Sequence, residues 1–567
     1  MKRLLRVLLT AASMFSTETA VWGGTEKLAR ELVGASVPET LDVIVQYRRL
    51  PDGSHEEKIR ERGGILKHRF DSIHALHCRI PAAALGELAE DPDVAYVTPE
   101  RPVKAALDQA DAAINAWAAW QFSLDGTGVG IAVIDSGIAN VDDLQGSVVY
   151  QQSWTGDAND HFGHGTHVAG IIAGNGSDSS GWLFTRTFQG IAQGAKLINL
   201  KVLDNNGNGA DSSVIAAIQT AIALQNKYNI RVINLSLGRP VFESYTLDPI
   251  CQAAEQAWKA GIVVVAASGN FGRVNPTTTY GYGTITAPGN DPYVITVGAT
   301  KDMGTPTRND DQLASYSSKG PTLFDNLAKP DIVAPGNLIG STLAPLSQFT
   351  QQYPITDIPL PSYMRWAPNV PSANYLQLSG TSMATPFVSA AAALLIQQNP
   401  RMTPDQVKAR LMKTAWKGFP AASAYKDPAT GIVYPVQYDI FTIGAGYLDV
   451  NAAIANNDPV GPTLSARSPA VTFATAGAVK TAALVMPANV VWGSNVVWGS
   501  NVVWGSNVVW GSNVVWGSNV VWGSSNLFGL ADLLIRGAGS VWASNTVWGA
   551  SIGGGDAAEV VLSGGDQ

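Results

Sequence analysis

The chain has 567 residues, of which 46% are hydrophobic and 14% charged, with 57 glycines. That length exceeds a single core, so two or three domains are expected, and the composition is that of a globular protein rich in tight turns, not a disordered or coiled-coil one. A net charge of −8 argues against a general nucleic-acid binder. The two cysteines, Cys78 and Cys251, are too few and too far apart for a disulfide framework or a cysteine zinc site.

The first residues, Met1-Lys2-Arg3-Leu4-Leu5-Arg6, precede a mostly apolar stretch at 7–15, the layout of a signal peptide. Residues 1–25 are therefore read as a targeting segment and the protein as secreted or displayed at the cell surface. No uninterrupted run of the ~20 apolar residues needed to span a bilayer occurs, so no membrane span is expected. Residues 41–103 form a compact charged unit: strands at 41–47, 64–70, 73–80 and 94–97, helices at 55–62 and 82–90. The order βαββαβ describes a small ferredoxin-like α+β sandwich.

An Ala-rich stretch at 104–120 opens a new region, and from 112 to 454 buried-looking strands alternate with helices. Strands fit 130–134, 196–202, 232–236, 262–267 and 294–297; helices fit 168–173, 212–228, 249–260, 383–398 and 404–414. Such alternation predicts an α/β domain with a mostly parallel sheet covered on both faces. Residues 455–488 read as a linker rich in Asn, Gly, Pro, Ser and Ala. Asn-Val-Val-Trp-Gly-Ser then repeats six times over 489–524, and a tail follows at 525–567. An even period keeps each position on one face of an extended strand. Three readings of this block stay open: a parallel β-helix, a sticky disordered segment, or an attachment region removed on maturation. With Gly-Ser in each repeat, a membrane helix is disfavoured.

Four stretches of the α/β region place a polar residue where a strand ends or a helix begins, positions that open into the crevice at the carboxyl end of a parallel sheet. Asp135 ends the apolar strand Ile131-Ala132-Val133-Ile134; a half-buried carboxylate there needs a partner, for which a histidine serves, or it is a structural cap. The stretch His161-Phe162-Gly163-His164-Gly165-Thr166-His167 holds every histidine of the region, as a catalytic base, a metal site or a capped helix start. Asn270 follows Ala267-Ser268-Gly269 and is either a turn former or an amide aimed at an oxyanion. Ser382, in Ser379-Gly380-Thr381-Ser382-Met383-Ala384, is either an N-cap or a nucleophile at a helix end that offers N–H groups to negative charge.

Taken together, in the order Asp, His, Asn, Ser, these stretches resemble the subtilase family at each catalytic position, a family whose chain order and oxyanion amide serve as a general reference. Lys201-Val202-Leu203, Ile233-Asn234-Leu235-Ser236-Leu237-Gly238 and Lys329-Pro330-Asp331-Ile332-Val333-Ala334-Pro335-Gly336 extend the likeness over roughly 125–450. The resemblance implies a subtilisin-like three-layer fold and a serine endopeptidase. Ser382 would attack the scissile carbonyl, His164 would accept its proton, Asp135 would orient His164, and Asn270 would bind the oxyanion. His167 matches a buried structural position, and His161 has no assigned role. Ser236, Leu237 and Gly238, with Ala267, Ser268 and Gly269, would line the substrate channel with small walls, implying broad specificity toward protein or peptide substrates.

Residues 41–103 then resemble the family's inhibitory prodomain, an intramolecular inhibitor and folding aid removed by self-cleavage within 103–112. The alternative for this segment is an ordinary ferredoxin-like binding module. No cofactor is implied. Bound calcium is common in the family, and the loop 204–211 is its candidate site, although without diagnostic ligand spacing. Two other functional readings compete. One is a metal-dependent hydrolase built on His161, His164 and His167, which lacks the His-Glu-x-x-His pattern. The other is a catalytically silent binding protein with the Trp-rich tail as its working end.

Overall fold

The computed structural model describes residues 27–28, 32, 39–71, 74–99, 110–274, 279–458, 465–476, 479–485, 508–510, 514–516, 546–548 and 566. The leader-like segment, most of the 103–112 junction and most of the repeat block and tail lie outside the described residues. The chain forms two compact units, Met1–Lys104 and Ala105–Gln567.

In the first unit, β1 (Thr40–Tyr47), α1 (Gly53–Glu61), β2 (Ile65–Phe70), β3 (Ala75–Pro81), α2 (Ala84–Glu90) and β4 (Val94–Pro99) follow the expected βαββαβ order. The antiparallel sheet runs β2-β3-β1-β4. Alternation along β1 sends Val43, Val45 and Tyr47 inward against Ile59 of α1 and Leu85 and Leu88 of α2. Asp52 starts α1 with a capping box that engages His55. Cys78 is a free, buried thiol of this core, and burial pushes it up to about 12.

The second unit opens with α3 (Ala110–Ala113), α4 (Trp117–Gln121), β5 (Gly130–Asp135), β6 (Val148–Ser153), α5 (His164–Ala173), β7 (Lys196–Lys201), β8 (Asn208–Ala210) and α6 (Asp211–Tyr228). It continues with β9 (Ile230–Leu235), α7 (Pro249–Lys259), β10 (Val263–Ala267), β11 (Ile295–Lys301), β12 (Gln312–Leu313), β13 (Ile332–Pro335) and β14 (Ile339–Thr342). Then come α8 (Gln348–Gln352), β15 (Asp357–Pro359), β16 (Pro371–Leu378), α9 (Thr381–Gln398), α10 (Pro404–Thr414), β17 (Ala422–Lys426), β18 (Val433–Gln437), α11 (Val450–Ala455), β19 (Ala470–Ala476) and β20 (Val479–Val485).

The main sheet runs β12-β11-β10-β9-β5-β7-β6, with β13 also paired to β11. Every pairing is parallel except β11 with β12. The central strands β5, β10 and β13 are buried at every residue, as a sheet covered on both faces requires. Helices pair off against it: α5 packs on α9, and α6 on α7. Helix α9 is buried at each residue from Thr381 to Ile396 and lies against β9, β10, β11 and β13. Its small residues allow that depth, and its N-terminus is thereby delivered inside the protein.

Differences from the sequence reading have local causes. β6 escapes because its alternation between exposed and half-buried residues carries little apolar signal. Residues 455–488, read as a linker, carry the hairpin β19–β20, held to the unit by Val471 N–H on Asn326 O and Ala328 N–H on Pro469 O. In the repeats, β21 (Val508–Trp510) and β22 (Val514–Trp516) pair antiparallel, unlike the parallel stacking of a β-helix. Further on, β23 (Thr546–Trp548) pairs antiparallel with β8.

A buried ionic cluster ties the far edge of the sheet to α10. Asp331 accepts from Lys329 at 2.7 Å and from Thr296 N at 2.8 Å, and lies 3.1 Å from Lys408. All of these side chains are excluded from water. Burial alone would raise the Asp331 pKa, but the two ammonium groups outweigh it and hold the carboxyl below its ordinary range. Removing one member of such a pair strands the others, so Asp331→Ala is expected to cost about 3–5 kcal/mol. Denaturant unfolding measures it; a loss below about 1 kcal/mol contradicts the cluster's role.

Candidate active site

Three adjacent strands, β5, β9 and β10, end side by side and carry Asp135, then Ser236-Leu237-Gly238, then Ser268-Gly269-Asn270. The crevice expected at the carboxyl edge of the sheet is therefore where the singled-out residues converge. Above it stand the N-termini of α5, which begins at His164, and of α9, whose second residue is Ser382.

Asp135 and His164 are both withdrawn from water and meet at 2.7 Å, Nδ1 to Oδ1. A carboxylate only accepts, so Nδ1–H donates, and in the neutral ring the lone pair lies on Nε2. The Ser136 N–H donates to the same Asp135 oxygen at 2.7 Å. Among the described residues, Nε2 has no hydrogen-bond partner. The helix can descend this far because residue 165 is glycine: a Cβ there would lie 2.2 Å from Gly137 O.

Asp160 had no place in the sequence reading, yet it builds this end of α5. Its buried carboxylate accepts from Ser136 Oγ, Gly163 N, Thr166 N and Thr166 Oγ1, at 2.7–2.9 Å. Burial raises its pKa, opposed by these donors. The only available signal was an Asp four residues before a His at a helix start, a capping pattern without obvious chemistry.

Asn270 turns its carbonyl oxygen to α9, accepting from Thr381 N at 2.9 Å and Thr381 Oγ1 at 3.1 Å. The NH₂ end is thus the opposite one. Thr381 Oγ1 also accepts from Gly269 N at 3.1 Å, a role that the sequence analysis did not assign to this hydroxyl. Ser236 Oγ donates to the Ser382 carbonyl at 2.8 Å and accepts from Asn234 Nδ2 at 2.9 Å, locking β9 to the start of α9. Gly238 and Gly269 both close around Thr286, where an added Cβ would meet its side chain at 2.7 Å and 2.6 Å respectively. Leu237, Ala267 and Ser268 are buried beside them.

The remaining histidines diverge. His167 Nε2–H donates to Ile339 O at 2.8 Å, and burial drives its pKa down to about 3, so it stays neutral. His161 sits at the surface, 3.1 Å from Asp157. The three rings thus bond three different groups, and among the described residues no group of three or more His, Cys, Asp or Glu side chains is arranged to hold a metal. In the candidate calcium loop, Asp204 Oδ1 accepts from Asn206 N and Asn208 N, and Asp211 is gripped by Arg239 at 2.9–3.1 Å. Asn208 Oδ1 is buried there without a hydrogen-bond partner among the described residues.

A parallel α/β unit with a buried Asp–His pair at the end of its sheet, and a serine at the N-terminus of its buried helix, has the layout of a serine hydrolase scaffold. Residues 126–446 match the subtilase family. The chain is 35% identical over 400 residues to serine protease AprX of Bacillus subtilis (strain 168), covering 66% of this chain and 84% of that protein. It is 32% identical over 418 residues to subtilisin E of the same strain, covering 73% and 91%. It is 31% identical over 420 residues to an alkaline protease of Shouchella clausii, covering 72% and 91%. The chain belongs to the subtilase family and is a subtilisin-like serine endopeptidase.

Thr381→Val keeps the side-chain shape but removes the hydroxyl between Asn270 and Gly269. If the Asn270 amide acts on the oxyanion, kcat is expected to fall about ten-fold with little change in KM. Steady-state kinetics on a chromogenic peptide decide, and an unchanged kcat removes Thr381 from the machinery.

Proposed function

We propose that Ser382 is the nucleophile, His164 its base, and Asp135 the group that holds His164 in the working tautomer. The observation that carries this reading is the buried 2.7 Å contact at Nδ1, which leaves Nε2 as the one basic nitrogen of that ring. Attack by Ser382 Oγ on a peptide carbonyl passes its proton to Nε2; the imidazolium then protonates the leaving amine, and water repeats the sequence on the acyl-enzyme. Asn270 Nδ2 and the Ser382 N–H stabilise the oxyanion. Ser236-Leu237-Gly238 and Ala267-Ser268-Gly269 pair with an extended substrate backbone and admit a bulky apolar side chain, which gives broad specificity.

In this reading the first unit is a prodomain that assists folding, inhibits the enzyme and is removed by self-cleavage within 103–112. Its support is the compact βαββαβ fold ahead of a subtilase unit. The enzyme acts outside the cell; the charged-then-apolar start of the chain supports export, and no helix among the described residues is long and apolar enough to cross a membrane.

Ser382→Ala is expected to lower kcat by at least about 10⁴ and to leave the full-length precursor uncut. Normal maturation of the purified variant would refute self-processing. Because imidazole must be unprotonated to accept a proton, acidification should abolish activity of the wild type. His167, whose pKa burial lowers to about 3, does not compete for that proton near neutrality. A serine-directed phosphonylating reagent should abolish activity while chelators spare it; the reverse pattern would favour a metal hydrolase.

A further inference from the structure

Asp566 lies far from the other described tail residues in sequence, yet it is only 2% exposed and fully engaged by the second unit. Its Oδ2 accepts from the Ser315 N–H at 2.7 Å, and its Oδ1 accepts from Ser315 Oγ at 2.6 Å and from the Arg273 guanidinium. Its own N–H donates to Asn337 Oδ1 at 2.7 Å, and its carbonyl accepts from Asn337 Nδ2 at 3.2 Å. Ser315 and Asn337 are themselves buried. Three donors thus converge on one carboxylate, while a side-chain amide reads the peptide group behind it.

The receiving groups are also held by the rest of the unit. Arg273 Nε donates to Ser315 Oγ at 2.7 Å, and its guanidinium lies 4.8 Å and 5.4 Å from the rings of Tyr425 and Tyr434 on the β17–β18 hairpin. Ser315 follows β12. Asn337 follows Gly336, whose carbonyl takes the Gly380 N–H at 2.7 Å and the Tyr316 hydroxyl at 2.8 Å. The niche therefore stands between the turn that follows Asn270 and the N-cap of α9. A buried N–H such as that of Ser315 requires an acceptor, and a carboxylate is the acceptor that also answers a guanidinium.

We propose that Arg273, Ser315 and Asn337 form a carboxylate receptor whose occupant is Asp566 of the same chain, so that the segment beyond the tryptophan repeats is clasped to the catalytic unit. The repeat block is then flanked at both ends by residues attached to the catalytic unit. One end is the β19–β20 hairpin on Asn326 and Ala328. The other is Asp566, with the pairing of β23 on β8 between them. The clasp requires only that the tail be present, whatever the roles of the catalytic side chains.

Hydrogen exchange on the full chain carrying Ser382→Ala, checked intact by mass, tests this. Adding Asp566→Ala should speed exchange of the peptide containing Ser315 by about ten-fold or more, the change expected when a buried N–H loses a charged acceptor. Asp566→Asn should give a smaller increase, and Asp556→Ala, which alters another tail carboxylate, none. Unchanged exchange in Asp566→Ala, or an equal effect from Asp556→Ala, overturns the assignment. Protection that grows with protein concentration also overturns it, in favour of a second copy donating the carboxylate.

Discussion

An imidazole and a carboxylate removed from water need one another, and the architecture around the cleft follows from bringing Asp135 and His164 together. Asp135 is fixed by a strand buried on both faces, whose ends cannot shift without disturbing β7 and β9. His164 must then arrive on a helix that starts at the same level, which the Gly163 backbone at φ 107° and the missing Cβ of Gly165 allow. Neither glycine contributes chemistry. Each removes an atom that would hold the ring away from its partner.

Other buried carboxylates in the unit do comparable work for other segments. Asp160 gathers the donors at the start of α5, Asp331 joins β13 to α10, and Asp143 accepts from Tyr375 OH and Asp178 N, connecting the loop after α5 to β16. Each is surrounded by enough N–H, O–H or ammonium groups to replace the water it lost, the condition under which a buried charge is tolerated. With these carboxylates holding the loops, Asp135 can keep an unpartnered oxygen at Oδ2 while its surroundings stay fixed.

How much of this was legible in the amino-acid order depends on whether the signal is local. The strands ending at Asp135 and Ala267 and the helices at 212–228 and 404–414 declare themselves through apolar runs and caps, and they stand within a residue or two of the expected places. The motifs around Asp135, His164, Asn270 and Ser382 were readable because each sits in a short, distinctive stretch. Asp160 and Thr381 were not, because their importance lies in partners brought near by folding: Asp160 reaches across to Ser136, and Thr381 meets Asn270 from 111 positions away. The segment between β14 and α9 was equally opaque. Its small sheet and its aromatic cluster of Phe188, Tyr363 and Tyr375 assemble from pieces far apart in the chain, with no period of their own.

The same reasoning bears on the tail. A run without charges from 481 to 531 would ordinarily be a liability to a protein in water. Where Val508–Trp510 pairs with Val514–Trp516, the backbone groups of one copy satisfy those of the next. Fixing both ends of such a block lowers the freedom it would have to find the edge strands of other molecules, because a loop closed at two points explores far less space than a free end. A carboxylate niche suits the second fixing point: it makes use of charge, which the repeats lack, and so the repeats themselves cannot compete for it.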